Sequence, residues 1–247
     1  MKKRLDVLMA EKGLVPSREK AQAVIMAGEV AVNGVRELKA GTQVHEDVTI
    51  EITGDGLRYV SRGGLKLEKA VNEWNIELEG KVCMDIGAST GGFTDLMLKA
   101  GAKRVYAVDV GYGQLDWNLR NDARVVNMER TNIRYLDPAQ IEEKPEFISI
   151  DVSFISLKLV LPTAEKLLQP QGQIVALIKP QFEAERAEVG KKGIVRDEKI
   201  HRAVIEKVRG YAEANGLVVT NVTPSPITGA KGNVEFLSQM KKQIKED

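Results

Sequence analysis

Residues 82–94 read VCMDIGASTGGFT. The first five residues are mostly apolar, the middle is rich in glycine, and a helical pattern begins at Phe93. This order predicts a strand, a loop and a helix at the start of an α/β sheet. Glycines let a ligand approach the backbone closely, and the N–H groups at the start of a helix point towards that ligand. The stretch therefore predicts a ligand site at the end of a strand.

The loop departs from the G-x-G-x-x-G fingerprint of dinucleotide-binding proteins. Gly87 and Gly92 match its first and third glycines, but Ser89 stands at the second, which admits a pyrophosphate. An adenosine ligand without a pyrophosphate suits this loop better, which indicates S-adenosylmethionine; a tight turn without a ligand is the alternative. The cofactor-binding residues predicted here are Asp85, Gly87, Ala88, Ser89, Thr90, Gly91, Gly92 and Phe93.

An acidic residue follows the next predicted strand. Asp109 stands at the carboxyl end of the strand predicted over 104–109. A carboxylate there can accept hydrogen bonds from both ribose hydroxyls of the cofactor. A helix cap or a solvated loop acid is the alternative for Asp109. Neither the glycine loop nor Asp109 by itself separates a methyltransferase from a dehydrogenase.

Composition limits the class of protein. The chain has 247 residues, of which 43% are hydrophobic and 29% charged, and this balance favours a soluble protein with a substantial core. The net charge is only +1, but residues 1–20 carry six basic and three acidic side chains. A local basic face binds phosphates even when the whole chain is near neutral.

Cysteine and histidine are scarce. One cysteine, Cys83 in an apolar strand, excludes an internal disulfide and a multi-cysteine metal site. His45 and His201 are far apart in sequence, so neither a metal site nor a Ser–His–Asp triad is expected. No apolar stretch approaches the ~20 residues of a membrane span, and none follows the basic start. The sequence therefore predicts a cytoplasmic protein without membrane contact.

The chain divides into two predicted modules. We place the first at 1–57, a linker at 58–64 and the second at 65–247, with Gly54-Asp55-Gly56 marking the joint. In the first, the spacing predicts helices over Arg4–Lys12 and Arg18–Ala27, strands over 30–32 and 48–52, and a tight turn at Asn33-Gly34. In the second, strands and helices alternate, with a helix near 198–215 before a final β pair. The predicted strands lie near 81–86, 104–109, 124–128, 146–151, 173–179, 217–223 and 233–240.

The first module carries a recognisable set of residues. They are Arg4-Leu5-Asp6, Ser17-Arg18, Ala21, Ile25, Gly28 and Val30-x-Val32-Asn33-Gly34. With these residues the module resembles the S4 RNA-binding domain, a small α+β fold. The resemblance implies that structured RNA contacts this part of the chain. The RNA-binding residues that we expect are Arg4, Ser17, Arg18, Lys20 and Arg62. A solvated charged face is the alternative reading of these side chains.

The second module places four polar residues near the edge of the sheet where doubly wound folds have their ligand sites. Lys66 lies at a helix start, Asp151 and Lys179 each end a predicted strand, and Glu235 lies in the closing β segment. A ribose hydroxyl is a weak nucleophile and needs a proton acceptor and a fixed approach to the methyl group. We expect Lys179 to be that base, flanked by Lys66, with Asp151 and Glu235 as orienting acids. Structural salt bridges are the alternative, and Lys66 is the other candidate base.

Five strings surround these four residues. They are SRGGLKL at 61–67, DIGASTGGFT at 85–94, DVSFIS at 151–156, KPQFE at 179–183 and SPITGAKGNVE at 225–235. With them the four residues are similar to the K-D-K-E tetrad of FtsJ-like ribose 2′-O-methyltransferases. Lys69 lies one helical turn beyond Lys66 but does not match the pattern.

The combination with an S4-like module resembles the TlyA, or hemolysin A-like, family. That resemblance implies a Rossmann-like, seven-stranded methyltransferase sheet with an antiparallel last strand, behind a small S4-like domain. It also implies S-adenosylmethionine-dependent 2′-O-methylation of cytidine in ribosomal RNA, free or in subunits, with Asp151 near the cofactor as well. Two other functions are compatible with the family: a membrane-active hemolysin, and an RNA-binding protein whose methyltransferase domain is inactive.

Overall fold

The computed structural model describes residues 1–52, 58–229 and 232–243. The chain forms two compact units, Met1–Arg62 and Gly63–Asp247. The boundary between the units falls inside the stretch 58–64 that the sequence analysis treats as a linker. The predicted joint at Gly54-Asp55-Gly56 lies outside the described residues.

The N-terminal unit is a small α+β fold. Its helices are α1 (Leu5–Glu11) and α2 (Arg18–Ala27), and its strands are β1 (Lys2–Arg4), β2 (Val30–Val32), β3 (Val35–Glu37), β4 (Gln43–His45) and β5 (Ile50–Ile52). Strand β2 pairs antiparallel with β3 and β5, and β1 pairs antiparallel with β4. The predicted cap of α2 is confirmed, because the Ser17 hydroxyl accepts a hydrogen bond from the Lys20 N–H. The first helix starts at Leu5 because residues 2–4 pair as a strand, which the sequence analysis missed.

The C-terminal unit alternates strands and helices. Its strands are β6 (Val82–Ile86), β7 (Arg104–Val108), β8 (Val125–Met128), β9 (Phe147–Ile150), β10 (Gln173–Ile178), β11 (Leu217–Pro224) and β12 (Phe236–Lys242). Its α-helices are α3 (Gly63–Glu73), α4 (Gly92–Lys99), α5 (Trp117–Arg120), α6 (Leu161–Leu167), α7 (Pro180–Glu183) and α8 (Glu198–Glu213). Short 3₁₀ turns lie at Ile133–Tyr135, Pro138–Gln140, Leu157–Leu159 and Arg186–Glu188.

Among the described residues, seven strands form one sheet in the order β11-β12-β10-β9-β6-β7-β8. Strands β8, β7, β6, β9 and β10 are parallel neighbours, and β12 runs antiparallel to both β10 and β11. This is the methyltransferase-type sheet with an antiparallel last strand that the sequence predicted. The strand order reverses between β6 and β9, and a doubly wound sheet opens a crevice at the carboxyl ends of such strands.

Strand β6 is buried along its whole length at the centre of the sheet. Cys83 is packed in the core, as predicted, and burial raises the pKa of its thiol to about 12. Asp85 is also buried, and its carboxylate accepts hydrogen bonds from the N–H and the hydroxyl of Thr94, at 3.0 and 2.7 Å, and from the Ser149 hydroxyl at 3.1 Å. Asp85 therefore ties β6 to the start of α4 and to β9.

We expect Asp85→Asn to flatten the pH dependence of stability. Burial raises the pKa of the Asp85 carboxyl from 3.8 to about 7 in the folded protein. Below pH ~4 the group is neutral in both states, but between ~4 and ~7 it ionises only in the unfolded chain, so stability falls by roughly 4 kcal/mol as pH rises. Asparagine can accept from Thr94 and donate to the Ser149 hydroxyl without titrating.

Urea unfolding between pH 4 and 8, followed by tryptophan fluorescence, measures this effect for the C-terminal unit, because Trp74 and Trp117 both lie in it. Equal pH slopes for the variant and the wild type would contradict the assignment to Asp85.

Candidate active site

The four polar residues singled out in the second module meet at one point. The Lys66 ammonium donates to the Glu235 carboxylate at 2.8 Å and to Asp151 Oδ2 at 3.4 Å. The Lys179 ammonium lies 2.5 Å from Asp151 Oδ1. Asp151 thus bridges the two lysines, and the cluster pairs two ammonium groups with two carboxylates. Only 10% of each lysine side chain is exposed, and 3% of Glu235, so the charges are held largely away from water.

Sheet topology explains why residues so distant in sequence come together. Asp151 and Lys179 directly follow the parallel strands β9 and β10. Strand β12 is antiparallel to β10, and its first residue, Phe236, pairs with Ile178. Glu235 therefore reaches the same edge of the sheet as Lys179, although it precedes its strand.

Ser153 is a member of this site that the sequence analysis did not single out. Its hydroxyl accepts a hydrogen bond from the Lys179 ammonium at 3.0 Å. Ser153 belongs to the quoted string at 151–156, but a serine two residues after a strand end does not by itself indicate a role in a site. Only the fold brings its hydroxyl to the lysine.

A cavity of about 450 Å³ opens beside the cluster, at the carboxyl ends of β6, β7 and β9. Of the predicted cofactor residues, Gly87, Ser89, Asp109 and Asp151 line it. The structure does not bring the other predicted cofactor residues to this wall; these are Asp85, Ala88, Thr90, Gly91, Gly92 and Phe93. The wall also includes residues that the sequence analysis did not name, which are Ile86, Val108, Val110, Gln114, Thr131, Asn132, Ile133, Val152, Ser153, Phe154 and Ile155.

Backbone geometry fixes the glycine loop against the cluster. Gly87 has φ +87°, and a Cβ at this position would lie 2.5 Å from the carbonyl oxygen of Asp151. Only glycine satisfies both conditions. The Asp109 carboxylate holds the loop from the other side, since it accepts the Ser89 N–H at 2.8 Å and the Gly111 N–H at 2.7 Å.

The residues of the cavity suit an adenosine. Its volume lies within the ~300–1,000 Å³ of small-ligand sites. Apolar walls from Val110, Ile133 and Ile155 can cover a base, and Asp109 retains lone pairs for ribose hydroxyls.

Comparison with known proteins agrees with this geometry. An FtsJ-like methyltransferase model matches residues 59–242, and an S4 domain model matches residues 3–50. The 16S/23S rRNA (cytidine-2′-O)-methyltransferase TlyA of Mycobacterium tuberculosis is 41% identical over 241 residues, which cover 97% of this chain and 90% of that protein. The chain belongs to the TlyA family of FtsJ-like methyltransferases.

Other relatives are similar to the chain over most of its length. YqxC of Bacillus subtilis (strain 168) is 54% identical over 237 residues, which cover 96% of this chain and 84% of that protein. A solved structure from Streptococcus thermophilus has 51% sequence identity and a TM-score of 0.78, covering 98% of this chain and 89% of that one. The resemblance to the TlyA family that the sequence strings indicated is thereby confirmed.

The S4 unit of this TlyA-family chain contains a second charged cluster, around the buried Asp6. Its carboxylate accepts hydrogen bonds from Arg4 at 2.8 and 2.9 Å, from Arg18 at 3.0 Å and from Gln22 at 2.8 Å. The Arg4 guanidinium, with Gln22 and Arg18, holds the pKa of the Asp6 carboxyl well below its usual range. Both arginine side chains remain about half exposed. Asp6 thus fixes the two guanidinium groups at the surface.

The other predicted RNA residues lie in different settings. Ser17 is partly buried and serves as the cap of α2, and Lys20 is partly buried on that helix. Arg62 is the last residue of the N-terminal unit. The S4 model matches residues 3–50, so Arg62 lies beyond it.

Over residues 1–52, 58–229 and 232–243, none of the helices has the length and apolar character that a membrane span needs. Within the same ranges, no group of three or more His, Cys, Asp or Glu side chains is arranged to hold a metal ion.

Proposed function

We propose that this TlyA-family protein transfers a methyl group from S-adenosylmethionine to the 2′-hydroxyl of cytidine in ribosomal RNA. The observation that carries the proposal is the position of Asp151. Asp151 lines the adenosine-sized cavity and contacts both lysines of the cluster, so a methyl donor and a proton acceptor would meet there. The 41% identity to a protein named for cytidine 2′-O-methylation of 16S and 23S rRNA supports this substrate.

The charged residues of the cluster have different roles in the reaction. S-adenosylmethionine, when bound, supplies the methyl group. Lys179 accepts the proton of the ribose hydroxyl, and Asp151 with Ser153 aims its amine at the cavity edge, where both partners lie. Lys66 contacts two carboxylates, those of Asp151 and Glu235, and so keeps Asp151 in place.

The glycine loop and Asp109 would hold the cofactor. The Asp109 carboxylate would accept hydrogen bonds from the ribose hydroxyls, and the backbone at Gly87 and Ser89 would let the adenosine approach the sheet. Asn132 follows β8 at the same edge and adds an amide to the cavity wall. Phe154 is 91% exposed beside Ser153 and presents an apolar face at the mouth of the cavity.

The S4 unit anchors the RNA through Arg4 and Arg18. We expect Arg18→Gln to lower the slope of log affinity against log salt by about 1, because one phosphate contact and its released counterion are lost. Asp6 keeps its bonds to Arg4 and Gln22 in this variant, so the fold is retained. Filter binding of ribosomal RNA over a salt series measures the slope. A slope equal to that of the wild type would assign Arg18 to a solvated surface.

A transfer assay tests the proposed function directly. The protein is incubated with cofactor labelled in its methyl group and with ribosomal RNA, free and in each subunit, and 2′-O-methyl positions are mapped. We expect label at cytidine ribose. Cofactor binding without transfer to any RNA would identify an inactive domain, and lysis of cells by the purified protein without cofactor would favour a hemolysin.

A further inference from the structure

A basic turn lies on the segment that connects α7 to α8. The Gly193 N–H donates to the Gly190 carbonyl at 2.8 Å, which makes Lys191 and Lys192 the two central residues of a tight turn. The Gly190 N–H donates to the Ile194 carbonyl at 3.1 Å and closes the turn. Both lysines are exposed. The turn therefore holds two ammonium groups side by side on a backbone of defined shape.

This turn is fastened to the segment that carries Glu235. The Asn233 side chain is buried, accepts the Val195 N–H at 3.1 Å and donates to the Gly193 carbonyl at 2.9 Å. One amide thus holds the turn and the residues after it. Asn233 stands two residues before Glu235, whose carboxylate pairs with Lys66. The basic turn is consequently linked through Asn233 to the segment that carries Glu235.

The turn borders a cavity of about 510 Å³ with a surplus of positive charge. Lys191, Lys192 and Arg196 line it, together with Glu188 and Asp197. Both acids are engaged elsewhere, because Glu188 accepts the N–H of its cap residue and Asp197 accepts a backbone N–H at the start of α8. Within the described part of the chain, none of the three basic side chains has an ion pair with a carboxylate.

We propose that Lys191, Lys192 and Arg196 form a phosphate-binding subsite for the RNA strand that carries the target nucleotide. The inference rests on the proposed function, since it assumes that a polynucleotide reaches the catalytic cluster. Lysine and arginine side chains bind backbone phosphates, and these three have no carboxylate of the described residues to compete with such a contact. Asn233 links the turn to the segment that carries Glu235, so a phosphate bound at the turn would position the strand near the reacting ribose. The S4 unit supplies a separate anchor.

The double variant Lys191→Gln/Lys192→Gln tests the subsite. At about 0.1 M salt we expect a roughly tenfold loss of affinity for ribosomal RNA, and a decrease of about 1.5 in the slope of log affinity against log salt. Cofactor affinity should stay unchanged, because neither lysine lines the cofactor cavity. Filter binding measures the RNA affinity and its salt slope, and calorimetry measures the cofactor affinity.

The variant Lys144→Gln/Lys166→Gln is the matched control. It removes the same charge from exposed lysines, one just before β9 and one at the end of α6, at the amino edge of the sheet. If the wild type methylates RNA but the turn variant and the control variant bind RNA with equal affinity, the proposed subsite is overturned and the proposed function stands. A wild-type protein that transfers no methyl group to ribosomal RNA would overturn the proposed function itself.

Discussion

Replacement of Lys179 by alanine should reduce methyl transfer by about a thousandfold, within the range that general-base catalysis contributes. The reason is the loss of the only proton acceptor that we assign at the cavity edge. Cofactor affinity should change little, since Lys179 contacts Asp151 and Ser153 and is not part of the cavity wall. Single-turnover transfer to ribosomal RNA and calorimetric cofactor binding measure the two effects.

Two further variants separate a base from a structural cation. Lys179→Arg keeps the positive charge and a partner for Asp151, but a guanidinium does not release its proton. We therefore expect it to be as inactive as the alanine variant. Lys69→Ala is the control, because Lys69 lies one turn beyond Lys66 and contacts Glu73 and the Pro224 carbonyl instead. Substantial activity in Lys179→Arg would show that charge, and not proton transfer, is what this position provides.

Replacement of Asp109 by alanine should weaken cofactor binding by about 1.5–3 kcal/mol, which is about 10- to 150-fold. The variant removes a charged acceptor for the ribose hydroxyls. It also frees the Ser89 and Gly111 N–H groups that the carboxylate holds. Calorimetric titration with S-adenosylmethionine measures the affinity.

The control for Asp109 is Asp137→Ala. Asp137 also accepts a backbone N–H, from Ala139 at 2.9 Å, but it lies outside the cavity wall. Its loss should leave cofactor affinity unchanged. An affinity for Asp109→Ala equal to that of this control would remove Asp109 from the cofactor site.

Local patterns were sufficient to predict much of the fold. The apolar run at 82–86, the glycine loop and the alternation that follows predict the parallel strands, because burial on both faces gives continuous apolar segments. Ser17 and α2 were predictable from the preference of serine for helix caps. The pairing of β1 with β4 was not, since Lys2-Lys3-Arg4 is charged throughout and contains no apolar residue that would indicate a strand.

The site was predictable in its charged members and not in its neutral ones. Asp151 and Lys179 stand out because a charged residue at the end of an apolar strand is costly to bury without a partner. Lys66, in α3, and Glu235 were indicated by the strings at 61–67 and 225–235 that resemble the family. Ser153 and Asn132 have no such signal, and only the sheet brings them to the cavity. The burial of Asp6 under Arg4 and Arg18 was equally hidden, because an acid in an exposed-looking helix start gives no sign of its partners.

The position of β12 has a consequence for how the protein folds during its synthesis. This strand comes after all others of the large sheet along the chain, yet it lies between β10 and β11. A ribosome delivers the chain from its N-terminus, so β10 and β11 emerge first and present unpaired edges until β12 arrives. Glu235 immediately precedes β12 and arrives with it. A chain whose synthesis stops before this point therefore lacks both the strand that closes the sheet and the acid that pairs with Lys66. Such an incomplete chain cannot present an assembled site to RNA.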